Sequence, residues 1–566
     1  MTPEPSSLDL ERKDRIVLAV LAAIGMAVWA WFGLSTRITL EDAFITFRYA
    51  GNLAQGKGFV YNTGERVLGT TTPLQTLLLA ALGLALGPER IPTVASVLMP
   101  LFGLAAGLLA YAALVGLGIH RAGAAAGALL FYLHPLVIRT SLGGMETPLV
   151  LFLMALSLYY LSRQRSVAAT ITAAALALCR LDGLIWGGLV VGTTLVTRYR
   201  RPLAQTAGFI ATIAPWVIFA FLYFGSPIPN TVRAKGVVRP GRERLLVQPQ
   251  HVSRLSHWYL SGTGFASDHP LFPGWLALLG LGLYAAARSR RRETLLLAVF
   301  PPVYAVLMYL GRAPMYQWYL VPMLFCCLPL GGTGVGQVLT WVAYGRANWK
   351  WRAAAMAVAA AALVPGLMNL VKQLPRQARH ARLFQENEWG LRRGLGLWLR
   401  EHTPPNAGVA MEAIGYQGYF SGRRVIDMAG LVTPRVVKLK ASTGSNGVLF
   451  KRIITELKPD YIVLRSFEVD QNRHFNGGKL FETPQDRDLF FRHYREARRF
   501  TAPHPELAPL VTHLTVYQRT EAPAGPSRPR ERPWRDGWPQ ERPGGSQPLT
   551  GKPGEPSPAS ARGGRA

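Results

Sequence analysis

The chain has 566 residues, of which 49% are hydrophobic and only 17% charged. Soluble proteins carry about 25% charged residues, so this composition excludes an ordinary soluble protein and indicates a polytopic membrane protein. The formal net charge of +30 would suggest nucleic acid. The basic residues, however, fall in short clusters between apolar runs and in the tail after Arg519, the pattern of membrane topology and anionic-lipid contact. No basic stripe interleaved with stacking aromatics occurs, which argues against a nucleic-acid partner.

In chain order, ERKDR leads into an apolar run over residues 16–34, long enough to span and lacking a small-residue cleavage site, so it reads as a retained first helix. A polar, Gly-rich segment follows over 35–92. Its apolar stretch 74–86, between Pro73 and Gly87-Pro88, is short for a span and is expected to be interfacial or re-entrant. The alternative, in which it crosses and two later weak helices merge, would invert the loops between. Further spans are expected near 93–116, 121–138, 148–161, 167–180, 183–197, 203–224, 273–287, 294–311, 318–341 and 352–371, about eleven in all.

Basic clusters at Arg12-Lys13-Arg15, His120-Arg121, Arg163–Arg165, Arg198–Arg201, Arg288–Arg292 and Arg346–Arg352 all fall on the cytoplasmic side if residues 1–15 are cytoplasmic. The opposite, extracytoplasmic side then receives the segment after the first helix, the GMETPL turn, the 225–273 loop and everything beyond about Val371. There the composition becomes that of a soluble domain. GVAMEAIGYQGYF, RRVIDMAGLV, PDYIVLRS and VTHLTVYQR read as short strands of a small α/β domain over 380–520. Residues 521–566 are rich in Pro, Gly, Arg and Ser and are expected to be disordered. The fold class is therefore mainly α: a polytopic helical bundle over 16–371 with an extracytoplasmic α/β domain and a disordered tail. The three cysteines, Cys179, Cys326 and Cys327, lie in apolar segments without metal-ligand or disulfide spacing.

The candidate chemistry begins at Glu41-Asp42, immediately after the first helix. Acidic groups beside hydrocarbon are costly unless they have a task, though such a pair can also simply mark a solvated helix end. One carboxylate could take a proton while the other orients a cation or a divalent metal, which leaves a metal at Glu41 and Asp42 open. Arg48 and Tyr49 lie about two helical turns on, able to share a face with the pair. Asn52, Glu65 and Arg66 follow in a loop polar and Gly-rich enough to wrap a polar substrate.

Glu146 in GMETPL, with Pro148 in the first turn, reads first as a helix-start acid complementing the dipole and second as a site group. Arg180 and Asp182 form a candidate ion pair between two apolar segments, functional or structural. In SPIPNTVRAKG, Asn230, Arg233 and Lys235 follow a helix exit, where the cations could grip a phosphate or contact headgroups. Tyr316, Trp318 and Tyr319 fit an aromatic belt better than a sugar platform. No Ser-His-Asp set, P-loop or Rossmann fingerprint is present, so nucleotide hydrolysis and dinucleotide binding have no motif to support them.

The segment EDAFITFRYAGNLAQGKGFVYNTGERVLGTTTPL, with GMETPL, SPIPNTVRAKG, GYFSGRRVIDMAGLV and KPDYIVL, resembles bacterial polytopic glycosyltransferases of the GT-C superfamily. Within it the likeness is to actinobacterial terminal arabinofuranosyltransferases, over residues 16 to about 519. The resemblance implies a cytoplasmic-membrane enzyme that moves a sugar, arabinofuranose among the candidates, from a polyprenyl-phosphate carrier to a glycan, lipid or protein acceptor of the cell envelope. It maps the acidic motif of the first external loop onto Glu41 and Asp42. The family pattern commonly has two aspartates, so the Glu at 41 is a departure and Asp42 is the stronger candidate. Arg180, Arg233 and Lys235 are the cations available to a phosphate leaving group. The main rival is a transporter or flippase of lipid-linked saccharides, which would be expected to show two related halves with interrupted helices, a symmetry this sequence lacks.

Overall fold

The computed structural model describes residues 11–197, 202–236, 272–289, 291–310, 316–344, 348–507 and 511–521. The Arg198–Arg201 cluster, most of the 225–273 loop and the tail beyond Glu521 lie outside the described residues.

The N-terminal part is a bundle of apolar helices: α1 (Arg12–Thr36), α2 (Ala43–Ala54), α3 (Pro73–Leu86), α4 (Ile91–Gly116), α5 (Arg121–Leu133), α6 (Pro135–Leu142), α7 (Thr147–Ser162), α8 (Ser166–Cys179), α9 (Gly183–Val196), α10 (Pro202–Phe224), α11 (Asn230–Gly236), α12 (Phe272–Arg288), α13 (Leu295–Leu310), α14 (Val321–Tyr344) and α15 (Trp349–Glu388). Among the described residues six helices are long and apolar enough to cross a membrane. The bent pair α5 and α6 would make seven, and α3, α7, α8 and α9 are apolar but shorter. This is a multi-pass membrane protein; α7, α8 and α9 lie where spans were expected over 148–161, 167–180 and 183–197 but are shorter than full-length spans.

The single span expected over 121–138 is instead broken by 59° between α5 and α6. Pro135 has no N–H to continue α5. His134, extended, uses its Nδ1 to accept the Leu136 N–H and so starts a new helix there. α5 meets α14 backbone to backbone: a Cβ on Gly123 would strike the Gly332 carbonyl oxygen, and one on Gly332 the carbonyl of Gly123. Small residues at such crossings let helices in lipid approach closely enough for dispersion to hold them. The last helix, expected to end near 371, runs unbroken to Glu388 and carries the chain into the C-terminal unit.

That unit is built on a five-stranded sheet: β1 (Gly408–Met411), β2 (Arg424–Asp427), β3 (Tyr461–Arg465), β4 (Tyr494–Thr501) and β5 (His513–Arg519), in the order β2-β1-β3-β5-β4. β1 is parallel to β2 and β3; β5 is antiparallel to β3 and β4. Four strands lie where the apolar patterns put them. β4, YREARRFT, was not expected as a strand; it is an edge strand largely exposed along its length, so it carries no apolar alternation.

Side chains alternate across the sheet. Ala410, Ile426, Ile462 and Leu464 face a core with Phe450, Phe481 and Phe490. Val409, Met411, Val425 and Val463 face the helix Gly394–His402 and share a core with Tyr49, Phe59, Tyr61 and Leu68 from the segment after α1. Tyr49 of α2 and the loop after it thus contribute to one of the two cores of the C-terminal unit. The C-terminal ends of the parallel strands, where α/β sheets place their ligands, face this loop.

Candidate active site

α1 ends in a left-handed Arg37 (φ 48°) whose N–H closes on Gly33 O at 2.7 Å, and the chain turns back on itself. The next residues are fixed from outside: Thr39 N donates to Gln385 Oε1 at 3.0 Å, Gln385 Nε2 donates to Thr39 Oγ1 at 3.0 Å, and the Thr39 and Tyr416 hydroxyls are 2.5 Å apart. Glu41 and Asp42 come next and lead into α2. Asp42 occupies the N-cap position of that helix yet makes no capping hydrogen bond, and its side chain is exposed.

Around Asp42 the structure gathers residues from four helix ends. Glu146 heads α7 without capping it and turns instead to Arg180, its Oε1 lying 3.7 Å from Nε. Arg180, between α8 and α9, forms a two-pronged pair with Asp182 at 3.0 and 2.6 Å, and Tyr304 of α13 donates to Asp182 Oδ2 at 2.6 Å. The guanidinium lies 4.5 Å above the Tyr319 ring, and its Nη1, on a side chain only 4% exposed, has no hydrogen-bond partner. Lys235 of α11 lies over the Tyr316 ring at 5.3 Å. Lys235, Glu146 and Tyr316 all stand within electrostatic reach of Asp42.

Five of the residues selected by sequence are therefore brought together: Asp42, Glu146, Arg180, Asp182 and Lys235. Tyr316 and Tyr319, read from sequence as an aromatic belt, are the platforms under the two cations. Beside the cluster an apolar cavity of about 180 Å³ opens between Leu68, Pro73, Leu181, Ile213, Trp216 and Val217. Among the described residues no group of three or more His, Cys, Asp or Glu side chains is arranged to hold a metal ion.

Other selected residues lie elsewhere. Arg48 is buried and spends its donors on Tyr61 O (2.9 Å), Gly418 O (2.5 Å) and Arg423 O (2.7 Å), while Tyr49 bonds Val67 O and Gly69 N. Asn52 donates to Val60 O and Tyr61 O, and Glu65 pairs with Arg424 at 2.7 Å. Arg66 lies over the Tyr223 ring. Asn230 donates to Gly430 O and Leu431 O, tying the α10–α11 turn to the loop after β2. Arg233 is exposed, bonded to Ser226. Arg48, Glu65 and Asn230 thus latch this region to the C-terminal unit, while Tyr49 and Asn52 shape the loop itself.

Glu41 faces that unit. Its Oε1 accepts the Gly415 N–H, and a Cβ on Gly415 would overlap the Glu41 carbonyl, so only glycine allows this approach. Burial, and then the charge of Asp42, push the Glu41 carboxyl well above the ordinary carboxylate range. The shift favours the protonated form of Glu41, which hydrogen-bonds Asp42. Its other neighbours are Arg392 and Glu388, which sequence reading did not select. Arg392 sits in a run of charges at a helix end, and only the folded chain returns that end to residue 41.

A family model described as a domain of unknown function (DUF8728) matches residues 379–519. The chain is 26% identical over 352 residues to the terminal beta-(1->2)-arabinofuranosyltransferase of Mycobacterium tuberculosis, which covers 58% of this chain. It spans about half the length of that relative, 52%. Its structure is similar to that of ArnT from Cupriavidus metallidurans bound to undecaprenyl phosphate, with a TM-score of 0.52, 14% identity, and 90% of this chain and 99% of that one covered. It is also similar to the arabinofuranosyltransferase AftD from Mycobacteria, with a TM-score of 0.51, 17% identity, and 90% and 40% covered. A helical bundle with a small C-terminal sheet, the fold of these solved structures, is thus the fold of this chain.

Proposed function

We propose that this protein is a membrane glycosyltransferase that moves a sugar from a polyprenyl-phosphate carrier to a hydroxyl of a cell-envelope acceptor on the extracytoplasmic face of the cytoplasmic membrane. The curated relative makes arabinofuranose the first sugar to try. The observation that carries the reading is the exposed, uncapped Asp42 beside Lys235, with the unpartnered Nη1 of Arg180 in the same cluster. This sets a base and an anion site at the end of an apolar cavity.

In this reading the prenyl chain lies in the cavity between Leu181, Trp216 and Pro73. Its phosphodiester is held by Arg180 Nη1 and Lys235. The acceptor oxygen attacks the anomeric carbon, the bond from that carbon to the phosphate oxygen breaks, and the acceptor proton passes to Asp42. The added negative charge on the departing lipid phosphate is met by the two cations. A single displacement of this kind inverts the anomeric centre. Asp182 and Glu146 oppose the charge of Arg180 and hold its fork in place.

The test is transfer from radiolabelled polyprenyl-phosphoryl arabinofuranose to an octyl-linked oligoarabinofuranoside by the full chain in detergent. Asp42→Asn should lower the rate by about 10²–10⁴-fold while the protein still inserts and purifies as a folded species. Normal turnover by that variant removes Asp42 from the role. Lipid-saccharide flipping without any transfer by the wild type would instead establish the transporter.

A further inference from the structure

Glu41 and Asp42 touch, yet they look into different surroundings. Asp42 belongs with Lys235, Glu146 and Tyr316 on the membrane side. Glu41 belongs with a second charged group that the chemistry above leaves unused. Glu388 ends α15, and Arg392 lies one turn on in a π-helical turn, Trp389–Arg393, a local geometry that recurs at functional sites. Glu412 directly follows β1, and Arg465 is the last residue of β3. Glu468 follows in the next turn, 1% exposed.

Arg465 pairs with Glu412 and shares its field with Arg392, Glu41 and Glu388. The set therefore lies at the C-terminal ends of two adjacent parallel strands. In the order β2-β1-β3 the chain passes from β1 to β2 on one side and then crosses back to β3 on the other, so β1 and β3 flank the switch point at which α/β sheets receive ligands.

One polar atom there is unspent: Arg392 Nη1 is buried without a hydrogen-bond partner, while Glu468 Oε1, also without a hydrogen bond, lies 3.9 Å from Arg465 Nη1. Glu412 keeps 27% of its side chain exposed and Arg465 13%, so the group is reachable from solvent. Its mix of acceptors and donors points to the ligand class: the carboxyls of Glu41, Glu388, Glu412 and Glu468 lie with the guanidiniums of Arg392 and Arg465. Alternating carboxylate acceptors and planar guanidinium donors suit the paired hydroxyls of a neutral sugar.

We infer that the acceptor saccharide docks here, on Arg392, Glu412 and Arg465 at the C-terminal edge of β1 and β3, and reaches Asp42 across Glu41. The inference rests on the transferase reading and adds the acceptor side to it. Donor and acceptor then approach the carboxyl pair from opposite directions, the lipid from the bundle and the glycan from the C-terminal unit.

The experiment measures transfer kinetics with the labelled lipid donor and the octyl-linked oligoarabinofuranoside, together with binding of that oligosaccharide without donor, for the full-length wild type, Arg465→Met and Glu412→Gln. Glu412→Gln keeps shape and hydrogen bonding, so it remains informative should Arg465→Met fold poorly. The expected result is a rise of tenfold or more in KM for the oligosaccharide, with KM for the donor within twofold, and a matching loss of donor-free binding. Wild-type oligosaccharide KM in both variants overturns the subsite and leaves the transferase reading intact. Donor-free binding lost in the variants supports the subsite even where turnover is undetectable. Absence of both turnover and binding in the wild type overturns both.

Discussion

Gly415→Ala tests whether the C-terminal unit sets the catalytic pair. The new Cβ would lie 2.7 Å from both Glu41 Oε1 and the Glu41 carbonyl carbon. The Glu41 carbonyl oxygen lies closer still, and nonbonded carbon contacts settle near 3.5–4.0 Å, so the loop must give by at least ~1 Å. Overpacking of this kind costs about 1–3 kcal/mol of stability. The larger effect falls on rate, because a misplacement of about 1 Å at a reacting group costs about 10²-fold, equivalent to about 2.7 kcal/mol of barrier. The assay is transfer by the full chain in detergent beside its thermal midpoint. Gly444→Ala, in the same unit with nothing within 4 Å of the added carbon, serves as the control. A Gly415→Ala protein that transfers within twofold of wild type would refute the reasoning and make the C-terminal unit a bystander to the chemistry.

Two further outcomes follow from the carboxyls. Glu41→Gln should keep most of the activity, since the amide can still donate to Asp42, whereas Glu41→Ala should lose it. In the wild type, rising pH strips the Glu41 proton and leaves two adjacent anions, so the rate should fall on the alkaline side. The Gln variant should lose that limb, and a rate profile measured across pH checks it. Asp427, at the end of β2, is pushed up from 3.8 to about 6 because burial outweighs the backbone N–H groups it accepts. The native state then binds the proton more tightly than the unfolded chain. Stability should be greatest below pH 4 and fall by about 3 kcal/mol as pH rises through 6. Thermal midpoints from pH 4 to 7 should show that slope, flattened in Asp427→Asn.

Much of this arrangement was legible in the sequence, for identifiable reasons. Long apolar runs can satisfy their backbone only as helices, so α1, α4, α10 and α14 are written in composition. Val409, Val425 and Ile462 announce their strands because they fill a core. Asp42, Glu146, Arg180, Asp182 and Lys235 stood out because charge beside hydrocarbon is conspicuous. The break at His134 was hidden, since Pro135 starts one helix as readily as it ends another. β4 was hidden because an exposed edge strand needs no apolar side chain. Glu388, Arg392, Glu412 and Arg465 were hidden because charges in a soluble unit are ordinary; only the fold carries residues so far along the chain back to residue 41.

The position of Glu41 gives physical content to its departure from a two-aspartate pattern. One carboxyl of the pair must stay with Asp42, yet it also accepts the Gly415 N–H from a separate folding unit. An aspartate, shorter by one methylene, would give up one of these contacts or pull Gly415 inward, and the carbonyl of Glu41 already leaves no room for a Cβ there. The longer side chain therefore lets one carboxyl serve both units. The same contact divides the pair: burial between the units is what raises Glu41, while Asp42 stays exposed and uncapped on the side of Lys235 and Glu146.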